Sequence, residues 1–96
     1  MTLPPLNISD LLKQYQVRLK KSLGQNFLVD HNALLKIVRA AEIDSTDAVL
    51  EIGAGLGNLT RILASQAASV SAVEIDDQLF PILEEVTNSF NNFHVI

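Results

Sequence analysis

An α/β fold, a three-layer sandwich with parallel strands, is what this sequence predicts, on the strength of three observations. Two short apolar runs, Val49-Leu-Glu-Ile52 and Val70-Ser-Ala-Val73, are each followed by a stretch of helical spacing, and Asn92-Phe-His-Val-Ile96 supplies a third run. Both inner runs are apolar nearly throughout rather than alternating, the pattern of parallel strands covered on both faces. Between the first run and its helix stand Gly53, Gly55 and Gly57, a loop that lets a ligand approach bare backbone. Strand, helix, strand, helix, strand with right-handed crossovers follows.

The elements are taken in order. Thr2-Leu-Pro-Pro-Leu6 reads as an extended leader, because each proline disfavours helix in the residue before it. Ser9 is the expected cap of a short helix carrying Leu11, Leu12 and Tyr15. The stretch from Arg18 to Leu28, basic at its start and broken by Gly24, is placed as a loop. Asp30 is the expected cap of a helix over 31–41, with Leu34, Ile37, Val38 and Ala41 on one stripe. Polar Asp44-Ser-Thr-Asp47 leads into the first strand, and Leu59, Ile62, Leu63 and Ala67 mark the first crossover helix. Leu79, Ile82, Leu83 and Val86 mark the second, in which Pro81 falls early enough to cost little.

Composition narrows the class. The 96 residues allow one domain, yet 48% are hydrophobic and mean hydropathy is +0.25, high for a small free-standing domain. The sequence is therefore expected to be the N-terminal part of a longer protein, truncated after about the third strand. A fourth strand beside Val49–Ile52 would then be lacking, and the fragment alone is expected to be poorly folded and inactive. The absence of cysteine excludes disulfide frameworks, thiolate metal sites and cysteine nucleophiles. No run approaches the roughly 20 apolar residues of a membrane span, and residues 1–30 lack a secretory apolar core, so a cytoplasmic location without membrane partners is the expectation. His31 and His94 stand in no metal-binding or base pattern.

Charge is unevenly placed within the net −4. Residues 1–41 hold six of the seven basic residues and two acids, a balance of +4; residues 42–96 hold one base and nine acids, a balance of −8. Lys13, Arg18, Lys20 and Lys21 are thus the candidate surface for a polyanion.

The glycine loop discriminates between nucleotide cofactors. A dinucleotide fold needs G-x-G-x-x-G, whereas here the third glycine comes one position early and residue 58 is Asn. No Gly-Lys-Ser/Thr follows, so a phosphate loop is excluded too. Glu51 stands two residues before the first glycine, and Glu74, 21 residues after Gly53, is placed to hold a ribose. This pattern fits S-adenosylmethionine, a cationic nucleoside with no phosphate to cradle. Glu51 either orients the glycine loop or contacts the methionine amine through water.

Lys20-Lys-Ser-Leu-Gly-Gln-Asn-Phe-Leu-Val-Asp30, with Glu51-Ile-Gly-Ala-Gly-Leu-Gly57 and Val73-Glu-Ile-Asp76, resembles the ribosomal RNA adenine N6-dimethyltransferase family, most closely its bacterial small-subunit type. The glycine loop alone indicates only the Rossmann-like class I methyltransferase fold; Gln25-Asn-Phe-Leu28 narrows the match. The resemblance implies cofactor contacts from Asn26, the backbone of Leu28, Gly53, Gly55, Glu74 and Ile75, the last packing on adenine. It implies S-adenosylmethionine as cofactor and small-subunit ribosomal RNA or its precursor particle as partner; Arg18, Lys20 and Lys21, basic and immediately ahead of the cofactor segment, are expected to meet phosphate, and no metal is expected. Residues 1–29 would form a basic segment with a cofactor-contacting loop, and 30–96 the first half of the cofactor domain. The family's Asn-Leu/Ile-Pro-Tyr segment, which holds the flipped adenine, has no match here, so no catalytic residue is assigned. A class I methyltransferase with another substrate, and a non-catalytic RNA-binding or ribosome-assembly factor retaining the fold, stay open as alternatives.

Overall fold

A computed structural model describes residues 3–18 and 30–96. Three parallel strands, β1 (Ala48–Ile52), β2 (Ser69–Val73) and β3 (Phe93–Val95), lie in the order β1-β2-β3. Around them run α1 (Ile8–Gln14), α2 (His31–Ala40), α3 (Asn58–Gln66) and α4 (Phe80–Thr87), the last entered through a 3₁₀ turn at Asp77–Leu79. Pro81 sits in the first turn of α4, where no backbone donor is lost.

The caps separate a correct expectation from a wrong one. Asp30 caps α2, accepting from the N–H groups of Asn32 at 3.0 Å and Ala33 at 3.3 Å. Ser9 does not cap α1: it lies inside the helix, and Asn7 takes the role by accepting from Asp10 N at 3.1 Å. Both side chains have capping chemistry, and the turn closes on the earlier one.

Register explains the core. Val49, Val70 and Phe93 are partners across the three strands and pack with Leu34, Val38, Ile62, Leu63, Ala64 and Ala67 from α2 and α3. Ala72, next on the same face, meets Leu83 of α4 and Ala54. Leu3 of the extended leader closes the first cluster, and the buried Arg61 guanidinium donates to the Pro4 carbonyl. That contact gives a desolvated cation an acceptor, while burial lowers its affinity for the proton. Asn92 donates to the Ala64 and Ala67 carbonyls at 2.9 and 3.1 Å, satisfying acceptors at the end of α3 that no helical N–H reaches.

The other face of the sheet is open among the described residues. Leu50 is 60% and Ile52 72% exposed, and the register partners Ser71 and His94 hydrogen-bond there at 2.7 Å. Among the described residues the helices pack on one face, so two of the three layers are present.

Candidate functional site

The C-terminal ends of parallel strands are where α/β sheets gather ligand-binding loops. Ile52 and Val73 are register partners at that edge, so the residues after each strand emerge side by side. The glycine loop follows β1, and Glu74 and Ile75 follow β2. Four of the residues singled out from the sequence, Gly53, Gly55, Glu74 and Ile75, are thereby brought together.

All three glycines are left-handed, with φ of 78°, 60° and 83° at Gly53, Gly55 and Gly57. Their tasks differ. A Cβ on Gly53 would meet nothing within 4 Å, so this residue offers open backbone to a ligand. Gly53 N and Ala54 N both donate to the Val73 carbonyl, at 2.7 and 3.2 Å, anchoring the loop to β2. At Gly57 a Cβ would stand 2.8 Å from Leu83 Cδ1 and 3.2 Å from Val86 Cγ1, so its bareness serves the packing of α4. The dinucleotide pattern assigns close helix packing to a later glycine; here Gly57 performs it one position earlier.

Glu74 bridges the loop to its own strand end. Its Oε1 accepts from Gly55 N at 2.6 Å and its Oε2 from Asp76 N at 2.9 Å. Each oxygen keeps a second lone pair free for a hydroxyl. Ile75 beside it is 75% exposed, an apolar surface next to the carboxylate. Asp76, 2% exposed, turns the chain into the 3₁₀ segment by accepting from Gln78 N at 3.1 Å.

Glu51 is buried below the loop and accepts a hydrogen bond from Thr60 Oγ1 in α3. Burial pushes its carboxyl above the usual range; the Thr60 bond opposes this, and the neighbouring Glu74 charge adds to it. Of the two roles open for Glu51, the hydrogen bond fits the orienting one: the side chain ties the end of β1 to the first turn of α3.

Asn26, Leu28, Lys20 and Lys21 lie outside the described residues. Arg18 is described and exposed, after α1. Sequence reasoning missed Thr60 and Asp76. Thr60 carries a weak signal, a hydroxyl one turn into the helix that follows the glycine loop. Among the described residues no cluster of three or more His, Asp or Glu is arranged to hold a metal, and no helix is long and apolar enough to cross a membrane.

This arrangement can hold a nucleoside by its ribose hydroxyls at Glu74, against the open backbone of Gly53 and the apolar side chain of Ile75. The model of the family described as ribosomal RNA adenine dimethylase matches residues 16–96. A ribosomal RNA small subunit methyltransferase A from Natranaerobius thermophilus is 48% identical over 92 residues, covering 96% of this chain and 30% of that protein. A crystal structure of a dimethyladenosine transferase from Plasmodium falciparum superposes with a TM-score of 0.67 at 38% identity, over 73% of this chain and 27% of that one. The 23S rRNA methyltransferase ErmE gives 0.68 at 39% identity, over 74% and 29%. This chain thus spans about 30% of the length of the curated relative it matches. A parallel-strand Rossmann-like sheet, a glycine loop clasped by the acid of the next strand, and a family match over residues 16–96 together place this chain in the ribosomal RNA adenine dimethylase family.

Proposed function

We propose that this chain is the S-adenosylmethionine-binding part of a cytoplasmic enzyme that dimethylates adenine N6 in small-subunit ribosomal RNA. The observation that carries the reading is the bond from Gly55 N to Glu74, which sets a carboxylate with free lone pairs beside the open backbone of Gly53. Glu74 would receive both ribose hydroxyls, Ile75 would pack on the cofactor adenine, and Gly53 and Gly55 would line the amino-acid end. Gly55 is buried and its N–H already donates to Glu74, so its share would be to shape the loop rather than to offer a donor to the ligand. Asn26 and the backbone of Leu28 would complete the site, and Arg18, Lys20 and Lys21 would meet RNA phosphates. In this division of labour residues 1–29 serve RNA and the cofactor rim, while 30–96 form the cofactor floor.

When bound, S-adenosylmethionine supplies an electrophilic methyl group for in-line attack by the target amine. The residues here contribute position rather than covalent chemistry. Calorimetry on the complete gene product tests the assignment: S-adenosylmethionine or its demethylated product binds and NAD does not. The opposite preference would end the methyltransferase reading.

A further inference from the structure

Leu56, between Gly55 and Gly57, is fully buried although it belongs to a loop that faces a ligand. It forms a cluster with Leu79 and Ile82, closed by Ile8, Leu11, Leu12, Tyr15 and Val17 from α1 and its flanks and by Val86 of α4. Val86 also lies beneath Gly57, within 3.2 Å of where a Cβ would stand. One residue before it, Glu85 accepts a hydrogen bond at 2.9 Å from the Tyr15 hydroxyl, 70 positions earlier in the chain. α1, α4 and the glycine loop therefore form a closed circuit of contacts.

A loop with three glycines has many accessible conformations, so ordering it in the one observed costs backbone entropy that contacts from outside the loop can offset. We propose that α1 is a positioning element for the cofactor loop: it seats Leu56 and, through the Tyr15–Glu85 bond, holds α4 against Gly57, so that the loop is set before the cofactor arrives. Neither Tyr15 nor Glu85 touches the ligand in this scheme. Their effect is on the population of binding-competent loop, which scales the apparent affinity directly. The proposal rests on the cofactor site proposed above.

The test is calorimetry of the complete gene product with S-adenosylhomocysteine, beside steady-state kinetics and thermal melts. Tyr15→Phe and Glu85→Ala each weaken binding about two- to tenfold, the range expected for one net hydrogen bond. Glu85→Gln, which keeps an acceptor for the hydroxyl, stays within about twofold of the parent. The double variant Tyr15→Phe/Glu85→Ala is no weaker than either single one, because both remove the same bond. The cofactor KM rises while kcat is retained. Parental affinity in both single variants, with only the melting temperature lowered, overturns the positioning role and leaves the cofactor site standing. A parent that binds no S-adenosylhomocysteine overturns the cofactor site and the positioning role together.

Discussion

Glu74 and Gly55, 19 positions apart, are joined by a 2.6 Å hydrogen bond from the glycine's backbone N–H to the carboxylate. One carboxylate thus serves the shape of the loop and faces the position proposed for the ribose. Glu74→Ala in the complete gene product removes both at once, and S-adenosylmethionine affinity falls about 10- to 100-fold, as for loss of charge-assisted hydrogen bonds of about 1.5–3 kcal/mol. Glu74→Gln, with one acceptor oxygen left, falls between. Unchanged calorimetric affinity in both would reduce Glu74 to a structural clasp.

The two ends of the glycine loop separate binding from stability. Gly57→Ala places a Cβ 2.8 Å from Leu83 Cδ1 in a left-handed conformation and destabilises the fold by about 2–4 kcal/mol. Gly53→Ala meets open space, so its stability loss is confined to the left-handed backbone, about 1–2 kcal/mol. Its Cβ projects where the ligand would approach, so its larger effect is on cofactor affinity. Denaturant melts and calorimetry on both variants check the contrast, and equal stability losses would contradict it.

Glu51 predicts the sign of a pH effect. Its folded carboxyl lies above the usual range because of burial, so between the unfolded and folded values the native state holds the extra proton. Stability from this group is full below the unfolded value and falls as pH rises through the folded one. Glu51→Gln keeps an oxygen acceptor for Thr60 and carries no charge, so its stability is flatter across that window and relatively higher at neutral pH. Urea melts as a function of pH, parent against variant, read this directly; a steeper decline in Glu51→Gln would contradict it.

The basic segment predicts a salt effect. Neutralising Lys20 and Lys21 together weakens RNA binding and lowers the slope of log affinity against log salt by about 0.9 per lost contact on duplex or 0.7 on single strands. Cofactor affinity hardly changes. An identical slope in variant and parent would leave these lysines as solvated surface.

Much of the architecture was legible because it is written in local patterns. Asp30, the stripes of α2 to α4 and the early Pro81 act within one or two turns of chain, where spacing alone decides. The exception shows the limit of that reasoning: Asn7 and Ser9 are both capping residues two positions apart, and Asn7 is the one that caps. Local pattern also leaves open which segments cover the sheet. Near-continuous apolar strands signal a sheet that is buried on both faces, but Leu50 and Ile52 carry that pattern while exposed among the described residues.

The sequence by itself determined the order of strands and helices, the alternate glycines and the approximate place of Glu74, because each depends on residue type and short spacing. Tertiary structure decided which partners those residues take. Gly55 N donates to Glu74, Thr60 claims the buried oxygen of Glu51, and Leu56 is covered by a cluster that includes a helix more than 40 positions earlier. A hydrogen bond or a buried contact is chosen by the reach and direction of side chains from separate segments, and that geometry exists only once the chain has closed on itself.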